Sequence, residues 1–119
     1  MNWLRKKLYK RNTLIKVQEG IWGLEQAILI NIEIIAGMNK KLTHFQERMN
    51  IEKELQGKLD TANYEDRQKL KKSKEEEADW QKRHENQEKE IEKGRGLIES
   101  AQLKIEQQLE KMDIIKRLF

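Results

Sequence analysis

The chain has 119 residues, 39% of them charged, 36% hydrophobic and 6% aromatic, which limits it to one domain without a thick globular core. It contains no cysteine and no proline; this excludes disulfides, thiolate metal sites and cysteine nucleophiles, and removes the residue that most often breaks helices. The net charge of +4 is unevenly placed: residues 1–16 carry +6 without an acid, leaving −2 for the rest. Ala, Glu, Lys, Leu, Gln and Ile dominate, so the expectation is an all-α protein.

The first predicted element, residues 1–16, sets Arg5, Lys6, Lys7, Lys10, Arg11 and Lys16 among Trp3, Leu4 and Leu8. A basic amphipathic arm of this kind either packs as a helix with its lysines in water or meets an anionic partner. The candidate partners are an anionic membrane surface, nucleic acid phosphates or an acidic protein. No nucleic-acid motif and no aromatic stacking platform accompanies the cations. A conventional secretory signal is not expected, because the basic residues do not lead into a short apolar core and small-residue cleavage site. Cytoplasmic residence, in solution or peripheral to a membrane, is the expectation, with signal-less export as an alternative.

Residues 17–59 are predicted to form the first long helix. Alternating steps of three and four from Leu14 land on Leu14, Val17, Ile21, Leu24, Ile28, Asn31, Ile35, Met38, Leu42, Phe45, Met49 and Glu52, ten of them apolar. That is a heptad seam. Within it, Gly20 to Met38 is the most apolar stretch. Glu25, Gln26, Asn31 and Glu33 near its middle argue against a bilayer span, since acids there cost a few kcal/mol each. Beside the seam, Ala27, Ile30 and Ile34 form a second stripe, and Leu29 and Ala36 occupy a third side. One partner helix cannot cover all of this, so the stretch asks for at least two neighbours. Asn31 stands where a buried amide can fix register, or where a polar side chain can reach the bundle edge.

A turn is predicted over residues 60–66, with Asn63 capping the next helix and Glu65 and Asp66 against its positive end. A continuous rod forming a parallel dimer is the alternative. Residues 67–119 are predicted to form the second long helix. Its first part is nearly solid charge, 17 of 26 residues from Glu65 to Glu90, and reads as a solvated face. From Trp80 a second series runs through His84, Gln87, Ile91, Gly94, Ile98, Ala101, Ile105, Gln108, Met112, Ile115 and Phe119. Eight of these twelve are apolar. Trp80 at a heptad position marks either packing within the hairpin, near Met49, or a partner anchor.

These series predict a long antiparallel helical hairpin, coiled-coil-like, completed as a bundle by a short N-terminal helix, a second copy or a partner. The candidate packing residues are Ile21, Trp22, Leu24, Ile28, Ile30, Ile34, Ile35, Trp80, Ile98, Ile105, Met112 and Ile115. The candidate anionic-surface contacts are Arg5, Lys6, Lys7, Lys10, Arg11 and Lys16.

Little in the chain points to catalysis. His44 and His84 are the only imidazoles, and neither is read as having a carboxylate or a second histidine at ligand spacing on its own helical face, so no metal site is expected. Ser73 and Ser100 lie in helical runs without a base or an oxyanion donor, and the glycine spacing of "KGRG" (Lys93 to Gly96) is not that of a phosphate loop. No enzyme, cofactor or small-molecule substrate is expected. A hairpin of this size resembles the small helical-hairpin partners of type VII secretion systems. That resemblance implies a partner or chaperone role for a secreted substrate. Two of that family's marks are absent: Trp22 and Gly23 are adjacent and fall in the first helix instead of forming a Trp-x-Gly turn, and the residue four positions after Tyr64 is Gln68. The Lys, Glu and Asn-rich composition is equally similar to that of small phage or mobile-element interaction proteins, and the apolar segments 14–49 and 91–119 point to a non-enzymatic interaction or adaptor protein acting by helix packing, with dimerisation favoured.

Overall fold

The computed structural model describes residues 2–118. It consists of two helices, α1 (Trp3–Gly57) and α2 (Tyr64–Leu118), each of 55 residues, packed antiparallel as a hairpin. Phe119, the last position of the second apolar series, lies outside the described residues.

The helices start where their capping chemistry places them. Asn2 accepts the Leu4 N–H on its Oδ1 at 3.2 Å, and its carbonyl accepts from Arg5 and Lys6 at 3.1 and 3.3 Å. Residues 3–16 belong to α1 and do not form a separate short helix. No glycine or proline stands between Leu8 and Val17, so the basic arm continues into the apolar stretch as one element.

At the other end α1 stops at Gly57, and the turn occupies residues 58–63, slightly earlier than the spacing suggested. Asp60 Oδ1 accepts from the Ala62 N–H at 2.9 Å, and Asp66 Oδ2 accepts from the Asp60 N–H at 2.9 Å. Arg67 closes the loop by donating to the Thr61 carbonyl at 3.1 Å. Asn63 is the N-cap of α2: its Oδ1 takes the Glu65 N–H at 2.9 Å, and its carbonyl takes the Arg67 N–H at 3.0 Å. Glu65 and Asp66 face the positive end of α2, and Lys116 and Arg117 sit at its negative end.

The residues that the two helices bury are those of the two series. All twelve positions from Leu14 to Glu52 are buried or half-buried, and so are the eleven described positions from Trp80 to Ile115. Among the described residues only Val17, Ile21, Met49, Ile91, Ala101 and Ile115 are buried apolar residues, and no side chain of these falls below 2% exposure. Two helices alone cannot surround a side chain, so the core is a thin seam.

The chain divides into two units. Unit 1 comprises Met1–Ile34 and Gly94–Phe119, and unit 2 comprises Ile35–Lys93. In unit 1 the core is Val17, Ile21 and Ile115, with Leu14, Ile105 and Met112 packed against it.

Unit 2 is built differently. Trp80 meets His44 edge-on at 5.8 Å and Phe45 at 5.9 Å between ring centroids, while the Arg83 and Arg48 guanidiniums lie 4.6 and 5.6 Å from its ring centre. Nearer the turn the seam becomes polar. Ser73 is buried and donates to Glu52 Oε2 at 2.5 Å, and Gln56 Nε2 donates to Glu77 Oε2 at 2.8 Å. The heptad seam of α2 thus continues back from Trp80 through Glu77, Ser73, Leu70 and Asp66, all buried or half-buried. The charged run is not solvated on every side.

Candidate partner-binding surface

The structure separates the candidate packing residues into two groups. Ile21 and Ile115 are buried, and Leu24, Ile28, Ile35, Trp80, Ile98, Ile105 and Met112 are half-buried in the hairpin's own seam. Trp22, Ile30 and Ile34 are exposed, Trp22 at 64%. Asn31 sits half-buried in the seam, and its Nδ2 donates to the Ala27 carbonyl at 2.8 Å, within its own helix.

The exposed group has company that the stripes did not single out. Among the described residues, every exposed large apolar side chain except Ile51, Leu55 and Tyr64 belongs to unit 1. On α1 these include Leu4, Leu8, Ile15, Leu29 and Ile32; on α2 they are Leu97, Leu103, Leu109, Ile114 and Leu118. The α2 group keeps to no heptad series, which is why periodicity passed over it. Apolar surface left in water is unfavourable by about 25 cal/mol per Å², so exposed apolar residues gathered on one side of a helix, as on α1, commonly mark an interaction site.

The glycines add a second property to this face. A Cβ built on Gly20 or Gly23 would meet no atom within 4 Å. The hairpin's own packing therefore does not require glycine there.

At the start of α1 the seam turns cationic. Extended from Leu14 toward the N-terminus, the same heptad positions fall on Lys10, Lys7 and Trp3, and Trp3 is exposed. Trp3, Lys6, Lys7, Lys10, Arg11, Leu14, Ile15, Gln18 and Leu118 line an open groove of 820 Å³. The Lys7 ammonium stands 4.9 Å from the Trp3 ring centre, a cation–π geometry. Of the six candidate anionic-surface residues, the structure brings Lys6, Lys7, Lys10 and Arg11 to this groove. It does not bring Arg5 or Lys16 there.

Within α1 an 18-residue window reaches a mean hydropathy of 1.4, long and apolar enough by length and composition to cross a membrane. Glu25 and Glu33 are exposed on the same helix.

His84 Nδ1 lies 2.9 Å from Glu88 Oε1, four residues on, a carboxylate pairing that reading the sequence for ligands missed. Among the described residues no group of three or more His, Asp or Glu side chains is gathered as a metal site would require. The hairpin turn, 58–63, contains no tryptophan. No family model, no characterised protein and no solved structure matches the chain.

Proposed function

We propose that this chain is a non-enzymatic interaction protein that works by helix packing, with the outer apolar face of unit 1 as its working surface. The observation that supports this most is the segregation of exposed large apolar side chains among the described residues: unit 1 has Trp22, Leu29, Ile30, Ile32 and Ile34 in water, whereas in unit 2 the large ones exposed are Ile51, Leu55 and Tyr64. Helices of a second copy or of another protein, laid on this face, would complete a bundle of three or four helices. Binding then depends on apolar burial and shape, and charge decides orientation.

Size-exclusion chromatography with light scattering, run with and without a hydrophobic dye, tests this reading. The expected result is an assembly larger than one chain, or a monomer that binds dye; the double variant Trp22→Glu/Leu29→Glu should abolish either while keeping the helical circular dichroism signal. A dye-silent, monodisperse monomer would overturn it.

A second reading rests on the groove at the start of α1, where Lys6, Lys7, Lys10 and Arg11 surround Trp3 and Leu118. An indole flanked by ammonium groups suits the headgroup zone of an anionic bilayer better than a nucleic acid backbone, which offers leucine no apolar contact. Vesicle co-sedimentation at two salt concentrations tests it. Loss of binding in Lys6→Gln/Lys7→Gln/Lys10→Gln supports it, and unchanged binding removes the groove from consideration.

A further inference from the structure

The exposed side of α1 in unit 1 carries a second heptad stripe. Each position lies one residue on from a seam position, about 100° further round the helix. Leu4, Leu8, Ile15, Trp22, Leu29 and Ile32 form its apolar part, spaced by alternating fours and threes once Arg11, Gln18 and Glu25 fill the gaps, and all nine are exposed.

This stripe is close to a palindrome in chemistry. Counting stripe positions outward from Gln18, Ile15 mirrors Trp22, Arg11 mirrors Glu25, Leu8 mirrors Leu29, and Leu4 mirrors Ile32. Along the flank, Arg5 mirrors Glu33 in the same way. The helix as a whole repeats the division: residues 1–16 hold six cations and no acid, whereas residues 17–34 hold Glu19, Glu25 and Glu33 and no cation.

A palindrome of this kind has a direct physical use. In a two-fold dimer the same patch meets itself, so each position faces the one at equal distance on the other side of the axis. Antiparallel, two copies of α1 would set apolar against apolar, Arg11 near Glu25 and the basic half along the acidic half. Parallel, they would stack six cations on six. Like charges in register are unfavourable, and a polar side chain inside a seam selects orientation more than it adds affinity.

We propose that the outer stripe of α1 is a homodimer interface in which two copies lie antiparallel with the two-fold axis near Gln18. This rests on the helix-packing reading above and names its partner. An unrelated partner helix would give no reason for the stripe to mirror its own charges.

The absence of cysteine allows a clean test on the full chain. Asn12 and Gln26 flank the stripe one residue beyond Arg11 and Glu25, so Asn12→Cys and Gln26→Cys are made singly and treated with a short bifunctional maleimide, and sedimentation equilibrium measures association. The expected result is a dimer in which neither variant links to itself but a mixture of the two links efficiently. Arg11→Glu should weaken the dimer about tenfold or more, and adding Glu25→Arg should restore it, because the pair is then only reversed.

Self-linking of each single variant, without mixed linking, would overturn the antiparallel arrangement. A monomeric chain would overturn the homodimer, as would a chain sedimenting only with phosphatidylserine vesicles. A monomer that still binds hydrophobic dye leaves the open packing face standing, so failure of the dimer and failure of the packing reading are told apart.

Discussion

Unit 1 and unit 2 are cut from the same two helices, yet they treat apolar surface in opposite ways. In unit 2 the seam is guarded: Trp80 is covered by His44 and Phe45 and flanked by two guanidiniums, and the polar positions nearer the turn pair with one another. In unit 1 the seam is aliphatic, built on Val17, Ile21 and Ile115, and the exposed side of α1 is apolar as well, while Leu97, Leu103, Leu109 and Ile114 stand exposed among the charged residues of α2. A hairpin segment that must only hold itself together needs one apolar stripe per helix. Unit 1 has more than it can use, and that surplus is the signature of an unfilled packing surface.

The comparison can be attacked first at the cores. Ile115→Ala should cost about 2–4 kcal/mol, because it removes packing from a buried cluster that has few other members. Its neighbour Ile114 is exposed, and Ile114→Ala should cost no more than about 0.5 kcal/mol. Urea unfolding monitored by circular dichroism reads both, and equal losses would break the distinction between seam and outer face.

In unit 2 the matching experiment is Ser73→Ala, which leaves the half-buried Glu52 carboxylate without its hydroxyl donor. The expected loss is about 1–3 kcal/mol by the same measurement. A neutral result would mean that water serves Glu52 as well as the hydroxyl does, and that the polar seam is open to solvent.

Smaller effects sharpen the picture at the turn and along α2. Asn63→Ala should cost about 1 kcal/mol, since the Glu65 N–H loses its acceptor. Gly96→Ala should stabilise the helix by up to about 1 kcal/mol, because the added Cβ meets no atom within 4 Å. Gly94, two residues earlier, is buried in the seam, so the gain belongs to position 96.

Much of the fold was legible in the sequence because a heptad seam is a local pattern with a fixed physical cause. The series through Val17 and Ile21 and the series through Ile91 and Ile115 are the buried ones, and Asn63 caps as its type and place suggest. The polar part of the seam was hidden because Ser73 and Glu77 look like any other residues of a charged run. Only their juxtaposition with Glu52 and Gln56 shows that they face inward. The arm at residues 1–16 read as a separate element because its charge differs from that of residues 17–34, yet charge alone does not end a helix and nothing else there does. For the surface, Trp22, Ile30 and Ile34 could be picked out from excess apolarity. Leu97, Leu103 and Leu109 could not, because their spacing fits no stripe.

The most direct test of the central claim, that unit 1 and not unit 2 carries the association surface, is hydrogen–deuterium exchange across a concentration series. Slowed exchange in peptides covering residues 4–32 as concentration rises, with residues 35–93 unchanged, is the expected result. Exchange in residues 4–32 that is independent of concentration, or protection that grows in unit 2 instead, would contradict it.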